Sequence, residues 1–429
     1  MTTPAMISVE DALARILSFA NILDAETKPL NEALGQVLAE DIRSPVSIPP
    51  LANTAMDGYA VRAADTEGAA PDRPVELKVI GELAAGYLFD GAVQAGEAVR
   101  IMTGAAIPAG ADAIVPFEET NEGPRTAPKG ARVIEEAVQI LKAARVHANI
   151  RDAGEDVREG DLVLNQGRLL RPADIGVIAS VGRAAVSVIR RPVVAILSTG
   201  DELLEPGQEA QPGRIYDSNA WSLGALVSSY GGVPLRLGIA EDTLEALTAK
   251  VREGFSADML VTSAGVSRGD YDIVKDVLAR EGDIAFWTVR MKPGKPLAFG
   301  TFDAGGRRIP HLGLPGNPVS SIVSFELFGR PAIQKMMGRP VTPRPTVQAI
   351  SDDRITNIDD PRRFYARCLA ERGPDGWRVR LTGGQGSGQL GAMARANALA
   401  ILPEGLDIVE PGDSVQVMLL EAEDLPSSP

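Results

Sequence analysis

Between Val193 and Leu314, short apolar runs alternate with amphipathic segments, and no other feature of the sequence restricts the possible folds as strongly. Between the runs, apolar residues recur three and four positions apart, which predicts helices. Alternation at these lengths is typical of βαβ units and predicts a doubly wound, mainly parallel sheet with helices on both faces. Pro310 weakens the last strand prediction, because proline suits a strand start or an edge strand. The predicted strands are Val193–Leu197, Leu235–Ile239, Met259–Thr262, Ile284–Val289 and Ile309–Leu314.

The sequence on either side of this region is richer in short β runs. With 429 residues, two to four domains are expected. We predict an α/β plus β multidomain fold: a central doubly wound α/β sandwich, an inserted β-rich domain and a small C-terminal β domain resembling a barrel. The predicted domains are 1–43 together with 147–186 (N-terminal α+β), 44–146 (inserted), 187–338 (α/β) and 339–429 (C-terminal). Helices are predicted at Ser8–Ala20 and from Pro318 towards Met336, and strands at Val75–Ile80, Ala98–Met102, Ala113–Phe117, Asp161–Leu170, Ala184–Ile189, Thr346–Ile350 and Ser414–Leu420.

Composition limits the chemistry that the chain can perform. The formal charge of 43 − 57 = −14 argues against nucleic-acid binding, and an anionic substrate would need a local basic patch. Cys368 is the only cysteine, and His147 and His311 are the only histidines, which excludes a disulfide framework and a histidine-rich metal site within one chain. Neither a signal peptide nor an apolar run of transmembrane length occurs, so we expect a soluble, cytoplasmic protein without a membrane partner.

Four loops that follow predicted strands join glycine or proline to charged or hydroxyl side chains. Open parallel sheets bind ligands beyond the carboxyl ends of their strands, so these loops together predict one site. Acidic and basic groups occur there together, as the binding of a metal ion and a phosphorylated ligand requires. The loops are Ser198–Leu203 (STGDEL), Thr262–Asp272 (TSAGVSRGDYD), Lys292–Pro296 (KPGKP) and Leu314–Ser321 (LPGNPVSS).

The glycine-rich loop after Met259–Thr262 has the composition of an anion site followed by acids. Backbone N–H groups of such a turn and the helix N-terminus that follows it form an anion-binding concavity. Asp270 and Asp272 suit either the helix dipole or a Mg²⁺ ion, which takes a few carboxylates, water and phosphate oxygens. Lys292 and Lys295 flank a Pro-Gly turn and indicate phosphate binding, with a solvated lysine pair as the alternative.

Other polar loop residues have a structural explanation beside the functional one. For Asp201 and Glu202, the functional interpretation is a carboxylate directed at the crevice, and the structural one is a helix cap or a solvated loop acid. Asp217, Ser218 and Asn219 are all favoured N-cap types, and because one cap suffices, the other groups are free to contact a ligand. Two further stretches stay open between a turn and a ligand loop: Asn53–Ala60 (NTAMDGYA) and Gly383–Gly388 (GGQGSG).

Taken together, these motifs resemble the molybdopterin molybdenumtransferase family, to which the E domain of gephyrin belongs. Each motif alone is weak, but they occur in order along the chain and are highly specific as a set. The resemblance implies that the α/β domain is of the molybdopterin-binding type. The matching segments are NTAMDGYA, Met102–Val115 (MTGAAIPAGADAIV), Gly154–Asp156 (GED), STGDEL, Tyr216–Asn219 (YDSN), GVSRGDYD, KPGKPLAFG, GLPGNPVSS and GGQGSG.

The resemblance implies an enzyme that inserts molybdenum from molybdate into adenylylated molybdopterin, with Mg²⁺-dependent release of AMP. It also implies a homodimer whose clefts combine residues of both subunits, and a molybdopterin adenylyltransferase as a further partner. Carried over by motif, the catalytic residues are Asp57, Glu202, Asp242 and Asp272, and the metal ligands are Glu202, Asp242 and Asp272. The substrate-binding residues are Thr103, Arg151, Ser218, Gly265, Ser267, Lys292, Lys295, Pro315, Pro318 and Ser387.

Three features depart from the family's pattern. Ala264 precedes Gly265 where the family usually has two glycines, and Arg268 stands in place of a small or apolar residue. The turn after Arg151 lacks the further arginines of some relatives, which leaves an arginine clamp there open. A preference for tungstate therefore remains an alternative. So does molybdopterin adenylyltransferase activity, which uses a similar α/β domain, although the additional β domains argue against it. A partner-binding scaffold like gephyrin is less favoured, because no long linker occurs.

Overall fold

The computed structural model describes residues 6–123, 136–263 and 273–420, and its contacts divide the chain into two compact units. The first unit comprises Met1–Thr27, Gly35–Ala39 and Ser187–Pro429, and the second comprises Lys28–Leu34 and Glu40–Val186. The division into four domains stays a prediction. No helix within the described ranges is both long and apolar enough to span a membrane.

The first helix, α1 (Val9–Phe19), confirms the prediction for this segment. The hydroxyl of Ser8 accepts a hydrogen bond of 3.0 Å from the N–H of Asp11, which satisfies one of the free donors in the first turn. The buried residues Val9, Ala12 and Ile16 recur at helical spacing and join the main core of the first unit.

A five-stranded sheet forms the core of the second unit. Its strands are β1 (Gly58–Val61), β2 (Val75–Leu83), β3 (Glu97–Ile101), β4 (Ala113–Pro116) and β5 (Ala137–Ile140). They lie in the order β4-β1-β3-β2-β5, and only the β2–β3 pair is parallel. Tyr59 and Val61 pack into one apolar cluster and Ala60 into another, so both faces of β1 are buried.

Three of the strands predicted for this unit are confirmed, and a fourth is shorter than predicted. The strands predicted at Val75–Ile80, Ala98–Met102 and Ala113–Phe117 are β2, β3 and β4. The strand predicted at Asp161–Leu170 is reduced to Leu162–Leu164, and helix α2 (Pro172–Ser180) follows it. A turn around Gly167, where φ is +85°, ends the extended run early.

A six-stranded sheet forms the centre of the first unit. Its strands are β6 (Val193–Thr199), β7 (Val233–Ala240), β8 (Met259–Ser263), β9 (Gly282–Thr288), β10 (Pro296–Ala304) and β11 (Arg307–Leu314). They lie in the order β7-β6-β8-β11-β10-β9. The first four are parallel, and β10 is antiparallel to both of its neighbours. The predicted mainly parallel sheet is therefore confirmed.

Helices cover both faces of this sheet. The helices are α3 (Ser218–Ser229), α4 (Leu244–Glu253), α5 (Ile273–Glu281), α6 (Pro318–Ser324) and α7 (Arg330–Met336), with a π-helical segment at Phe325–Gly329 joining the last two. Val194 and Ile196 of β6 pack with α1, α3, α6 and α7, whereas Ala195 and Leu197 pack with α4 and α5. Successive side chains of β6 thus join cores on opposite faces of the sheet, both covered by helices, which confirms the doubly wound arrangement.

Two details of the sheet differ from what local sequence patterns indicate. The strand β10 was not predicted, because Pro296 and Gly300 are residue types that strands disfavour. Pro310 lies within the interior strand β11, yet it pairs only with Thr301 of β10, since the parallel ladder to β8 begins at His311. Its missing N–H therefore removes no bond to β8.

The C-terminal region contains a closed five-stranded barrel, which confirms the predicted barrel-like domain. Its strands are β12 (Thr346–Ser351), β13 (Arg363–Gly373), β14 (Gly376–Leu381), β15 (Ala398–Leu402) and β16 (Ser414–Leu419), and α8 is Leu390–Ala394. The ring β13-β14-β12-β16-β15 closes because β13 also pairs with β15. The short strand Met291–Lys292 adds to β13 in parallel, with Met291 opposite Arg363 and Lys292 opposite Phe364.

Shorter elements complete the described structure. The strands are Ala25–Pro29, Ile42–Arg43, Asn53–Thr54, Ile150–Arg151, Leu162–Leu164, Ala185–Ile189, Leu203–Leu204, Ile215–Tyr216, Ile355–Thr356 and Ile408–Val409. The 3-10 helices are Leu30–Glu32, Ala63–Thr66, Phe117–Glu119 and Gly254–Ser256.

Candidate functional site

A cavity of about 950 Å³ opens in the first unit where three parallel strands end. Thr199, Ser263 and Pro315, which lie at or just beyond the carboxyl ends of β6, β8 and β11, line it. This is the position at which open α/β sheets bind ligands, and the volume is in the usual range for small-molecule sites, roughly 300–1,000 Å³. Seven of the predicted site residues line this one cavity: Glu202, Ser218, Lys292, Lys295, Pro315, Pro318 and Ser387.

The remaining predicted residues of the α/β region are placed differently. Asp242 does not line the cavity, and its surroundings are acidic. Gly265, Ser267 and Asp272, together with the departures Ala264 and Arg268, lie outside the described residues.

One wall of the cavity is cationic. The ammonium group of Lys292 donates a hydrogen bond of 3.0 Å to Asn357 Oδ1 and lies 3.4 Å from Asp360 Oδ2. Arg362, which lines the cavity, donates to both carboxylate oxygens of Asp360, at 2.7 and 2.5 Å. The hydrogen bonds from Arg362 lower the pKa of Asp360 to about 2, and the charge of Lys292 adds to the effect. Lys295 also lines the cavity, so this wall carries three cations and one carboxylate, which leaves it positive.

Three residues of this wall, Asn357, Asp360 and Arg362, were not predicted from the sequence. Their only local signal is the charged run Asp359–Arg363 (DDPRR), which lies in the C-terminal region, far along the chain from the predicted strand-end loops. The pairing of Met291–Lys292 with β13 brings this run to the turn 292–295, the lysine turn.

The lysine turn is packed tightly onto helix α6. Gly294 has φ +100°, in the region that favours glycine, and a Cβ added there would lie 2.4 Å from Ser324 Oγ and 2.8 Å from Met291 Cε. Glycine is therefore required at this position, and its close approach fixes where Lys292 and Lys295 emerge.

The loop Gly383–Gly388 is held in place by the barrel. Arg367 is buried, with 1% of its surface exposed, and its guanidinium donates to the carbonyl of Gly384 at 2.9 Å. The Gln385 side chain accepts from the backbone N–H of Arg367 at 2.8 Å and donates to its carbonyl at 3.1 Å. The carbonyl of Ser387 accepts from the N–H of Val319 in α6, at 3.1 Å. The loop thus presents Ser387 to the cavity beside the first turn of α6.

Three carboxylates, Asp201, Glu202 and Asp242, form an acidic group at the loop that follows β6. The Glu202 carbonyl accepts from Ile215 N–H at 2.8 Å, which anchors the loop, and a Cβ on Gly200 (φ +141°) would lie 2.4 Å from Glu202 Oε2. The N–H of Asp242 points to Asp201 Oδ1 at 3.5 Å. Burial raises the pKa of Asp242, and the charges of Asp201 and Glu202 raise it further. The described ranges contain no complete group of three metal-ligating side chains.

The first residues of α3 form the base of the same cavity. Asp217 caps the helix, since its Oδ1 accepts from the N–H of Ala220 at 3.1 Å. Asn219 donates from Nδ2 to Ser263 Oγ and to the carbonyl of Gly316, both at 2.7 Å. Asn219 thereby ties α3 to the ends of β8 and β11.

Three predicted site residues belong to the second unit. Asp57 Oδ1 accepts hydrogen bonds from both the backbone N–H and the hydroxyl of Thr103, at 2.7 and 2.8 Å. The structure therefore brings Asp57 and Thr103 together, as a carboxylate held by a β-domain turn. Arg151 lines a cavity of about 450 Å³ in this unit, together with Glu155 and Asp156.

The architecture is that of a multidomain α/β protein. It combines a helix-covered mixed sheet that has a cavity at its strand ends, a closed barrel and a β-rich second unit. Three family models match the chain: MoeA N-terminal region (domain I and II) at residues 7–182, probable molybdopterin binding domain at 195–335, and MoeA C-terminal region (domain IV) at 350–420. The chain belongs to the molybdopterin molybdenumtransferase family, a family of transferases in molybdenum cofactor biosynthesis. The resemblance found in the sequence is thereby confirmed.

Individual relatives match nearly the whole chain. Molybdopterin molybdenumtransferase 2 of Mycobacterium tuberculosis is 39% identical over 398 residues, covering 91% of this chain and 94% of its own. Molybdopterin molybdenumtransferase of Haemophilus influenzae is 35% identical over 421 residues, covering 96% and 98%. A solved molybdopterin biosynthesis MoeA structure from Pyrococcus horikoshii has a TM-score of 0.80 and 30% identity, covering 97% of this chain and 100% of that one.

Proposed function

We propose that this protein inserts molybdenum from molybdate into adenylylated molybdopterin, with Mg²⁺-dependent release of AMP. The observation that carries the proposal is the single cavity in which the lysine turn, Arg362, Ser387 and Glu202 meet. The relatives named molybdopterin molybdenumtransferase support the choice of reaction.

The cationic wall suits the anionic parts of these substrates. Lys292, Lys295 and Arg362 would bind oxygens of the phosphates and of molybdate, and the Ser387 hydroxyl would donate to one of them. Because Asp360 holds Lys292 and Arg362, and close packing at Gly294 fixes the turn, these two cations need little rearrangement as charge develops on the leaving phosphate. Preorganised donors of this kind are a large source of catalysis.

The acidic group suits a divalent cation. The raised pKa of Asp242 reflects burial and repulsion from Asp201 and Glu202, and a bound Mg²⁺ would relieve that repulsion. Glu202 and Asp242 would hold the ion, since Mg²⁺ takes one or two carboxylates together with water and phosphate oxygens. Asp272 as a third ligand stays a prediction. Mg²⁺ held by Glu202, which lines the cavity, and Asp242 would neutralise charge on the phosphoanhydride.

Covalent catalysis by histidine or cysteine is not part of the proposal. His311 is buried, burial lowers its pKa to about 3, and its Nε2 lies 3.1 Å from Thr262 Oγ1. Cys368 is also buried, and burial raises the pKa of its thiol to about 12. A free, buried thiol is consistent with the cytoplasmic location that we propose.

We further propose a homodimer. The second unit exposes Leu51, Tyr87 and Leu88 by 51%, 72% and 72%, and these three side chains line a surface cavity of about 230 Å³. Large apolar side chains exposed together mark interaction surfaces. In the dimer, Asp57 and Thr103 of one subunit would contribute to the cleft of the other, as the family resemblance implies. An adenylyltransferase must supply the adenylylated substrate and is the proposed second partner.

The test is AMP release from adenylylated molybdopterin, measured with and without Mg²⁺ in the presence of molybdate, tungstate or neither. Mg²⁺-dependent release that molybdate stimulates, with formation of active cofactor, is the expected result, and stronger stimulation by tungstate would identify a tungstate-preferring enzyme. Formation of adenylylated molybdopterin from ATP and molybdopterin would replace the proposal with adenylyltransferase activity.

A matched pair of lysine variants tests the cavity. Lys292→Gln should lower AMP release by about 100-fold, because it removes a positioned cation from the site. Lys250→Gln changes a lysine on α4 that pairs with Glu253 outside the cavity, and it should leave the rate unchanged. Equal rates for the two variants would contradict the assignment of the cavity.

A further inference from the structure

Two buried oxygen atoms at the start of α3 have no hydrogen-bond partner in the part of the chain that the structure describes. They are Asp217 Oδ2 and Asn219 Oδ1, on residues that are 2% and 8% exposed. Both residues line the 950 Å³ cavity. Buried acceptors are almost always satisfied in native proteins, so an orphaned pair at a ligand cavity points to donors supplied by the ligand.

The two atoms can act only as acceptors. Asp217 uses Oδ1 to cap α3, which leaves Oδ2 available. The orientation of the Asn219 amide is fixed, because the carbonyl of Gly316, 2.7 Å from its Nδ2, can only accept. A flipped amide would place two acceptors against each other, so the Oδ1 atom is the unpartnered one.

The cavity therefore makes two different chemical demands on one ligand. Near Lys292, Lys295 and Arg362 it requires anionic oxygens, and at Asp217 and Asn219 it requires N–H donors without a negative charge. A pterin bearing an anionic side chain meets both demands, because the pyrimidine edge of the pterin carries an amino group beside a ring N–H.

We propose that Asp217 Oδ2 and Asn219 Oδ1 accept hydrogen bonds from the amino-pyrimidine edge of the pterin. These two residues then determine specificity for the ring, while the cationic wall binds the phosphates and molybdate. The assignment rests on the proposed function and adds the direction in which the substrate lies. A lumazine, which has an oxygen in place of the 2-amino group, would present an acceptor to these oxygens and bind poorly.

The direct test is calorimetric binding of 6-hydroxymethylpterin and 6-hydroxymethyllumazine to the full chain. The wild type should bind the pterin at least about tenfold more tightly than the lumazine, since a buried acceptor facing an acceptor is left unsatisfied. Asp217→Ser keeps a capping oxygen but removes Oδ2, and Asp217→Asn keeps the cap but can place a donor there. Both variants should lose the preference for the pterin while retaining the molybdate affinity and the unfolding midpoint of the wild type.

Kinetics provide a second measurement. Asp217→Ser should raise the KM for adenylylated molybdopterin by about tenfold and leave kcat nearly unchanged, as expected for a contact that is equal in the ground state and the transition state. Equal binding of the two ring probes by the wild type, binding of neither probe, or an unchanged KM in Asp217→Ser would each overturn the assignment. If the wild type releases no AMP but still prefers the pterin, the proposed reaction fails and the ring assignment survives.

Discussion

Replacing Gly294 by alanine tests whether the lysine turn depends on its close packing against α6. The residue has φ +100°, and its new Cβ would lie 2.4 Å from Ser324 Oγ and 2.8 Å from Met291 Cε. The unfavourable backbone conformation costs about 1–3 kcal/mol, and forcing a methyl group into a packed site costs about 1–3 kcal/mol more. Gly294→Ala should therefore lower the free energy of unfolding by about 2–6 kcal/mol.

Gly207 offers a matched control. Its φ is +101°, and no atom lies within 4 Å of where its Cβ would be. Gly207→Ala should show the backbone cost alone, so the difference between the two variants isolates the contact with Ser324 and Met291. Urea unfolding of both proteins gives this difference directly, with an expected value of about 1–3 kcal/mol. Equal losses in the two variants would refute the packing argument.

A double-mutant cycle identifies the contact. Ser324 Oγ is buried and has no hydrogen-bond partner in the described structure, so Ser324→Ala alone should cost little. In combination with Gly294→Ala it should recover part of the lost stability, because it removes the nearest atom. AMP release should fall most in Gly294→Ala and recover in part in the double variant, since Lys292 and Lys295 emerge from this turn. Strict additivity of the two changes would show that the Cβ meets no resistance from the hydroxyl.

Three further outcomes follow from single sites. His311 has its pKa lowered from 6.5 to about 3, so below pH 6.5 the unfolded state binds a proton that the native state does not. Unfolding free energy should therefore fall by about 1.4 kcal/mol per pH unit from this residue between pH 6 and 4, and His311→Gln should remove that part of the slope in urea titrations. Asp57→Ala removes two exposed hydrogen bonds with Thr103, so it should change stability by about 1 kcal/mol or less yet abolish AMP release; retained turnover would exclude Asp57 from the site. Cys368 should react with a thiol reagent only after denaturation, because burial raises its pKa to about 12, and rapid labelling of the native protein would contradict this.

Local patterns predicted those parts of the fold whose signal is local. The strands β6 and β8 are buried on both faces and therefore appear as continuous apolar runs, and the helices between them show their period directly. The strand β10 was missed because proline and glycine interrupt its pattern, although its pairing with β9 and β11 stabilises it. Closure of the barrel through β13 and β15 depends on partners far apart in sequence, which no local pattern encodes.

The candidate site was predicted where one loop carries its own chemistry and missed where two distant segments combine. The lysine turn was identified from its residue types, but its partners Asp360 and Arg362 were not. They reach it because the strand Met291–Lys292 pairs with the first residues of β13, with Lys292 opposite Phe364. That register sets the 3.4 Å separation of Lys292 and Asp360, and Asp360 in turn holds the guanidinium of Arg362 at the cavity. The barrel therefore contributes to the site through its strand pairing as well as through Ser387. A shift of one residue in this register would turn the side chains of the short strand to the other face and separate Lys292 from Asp360.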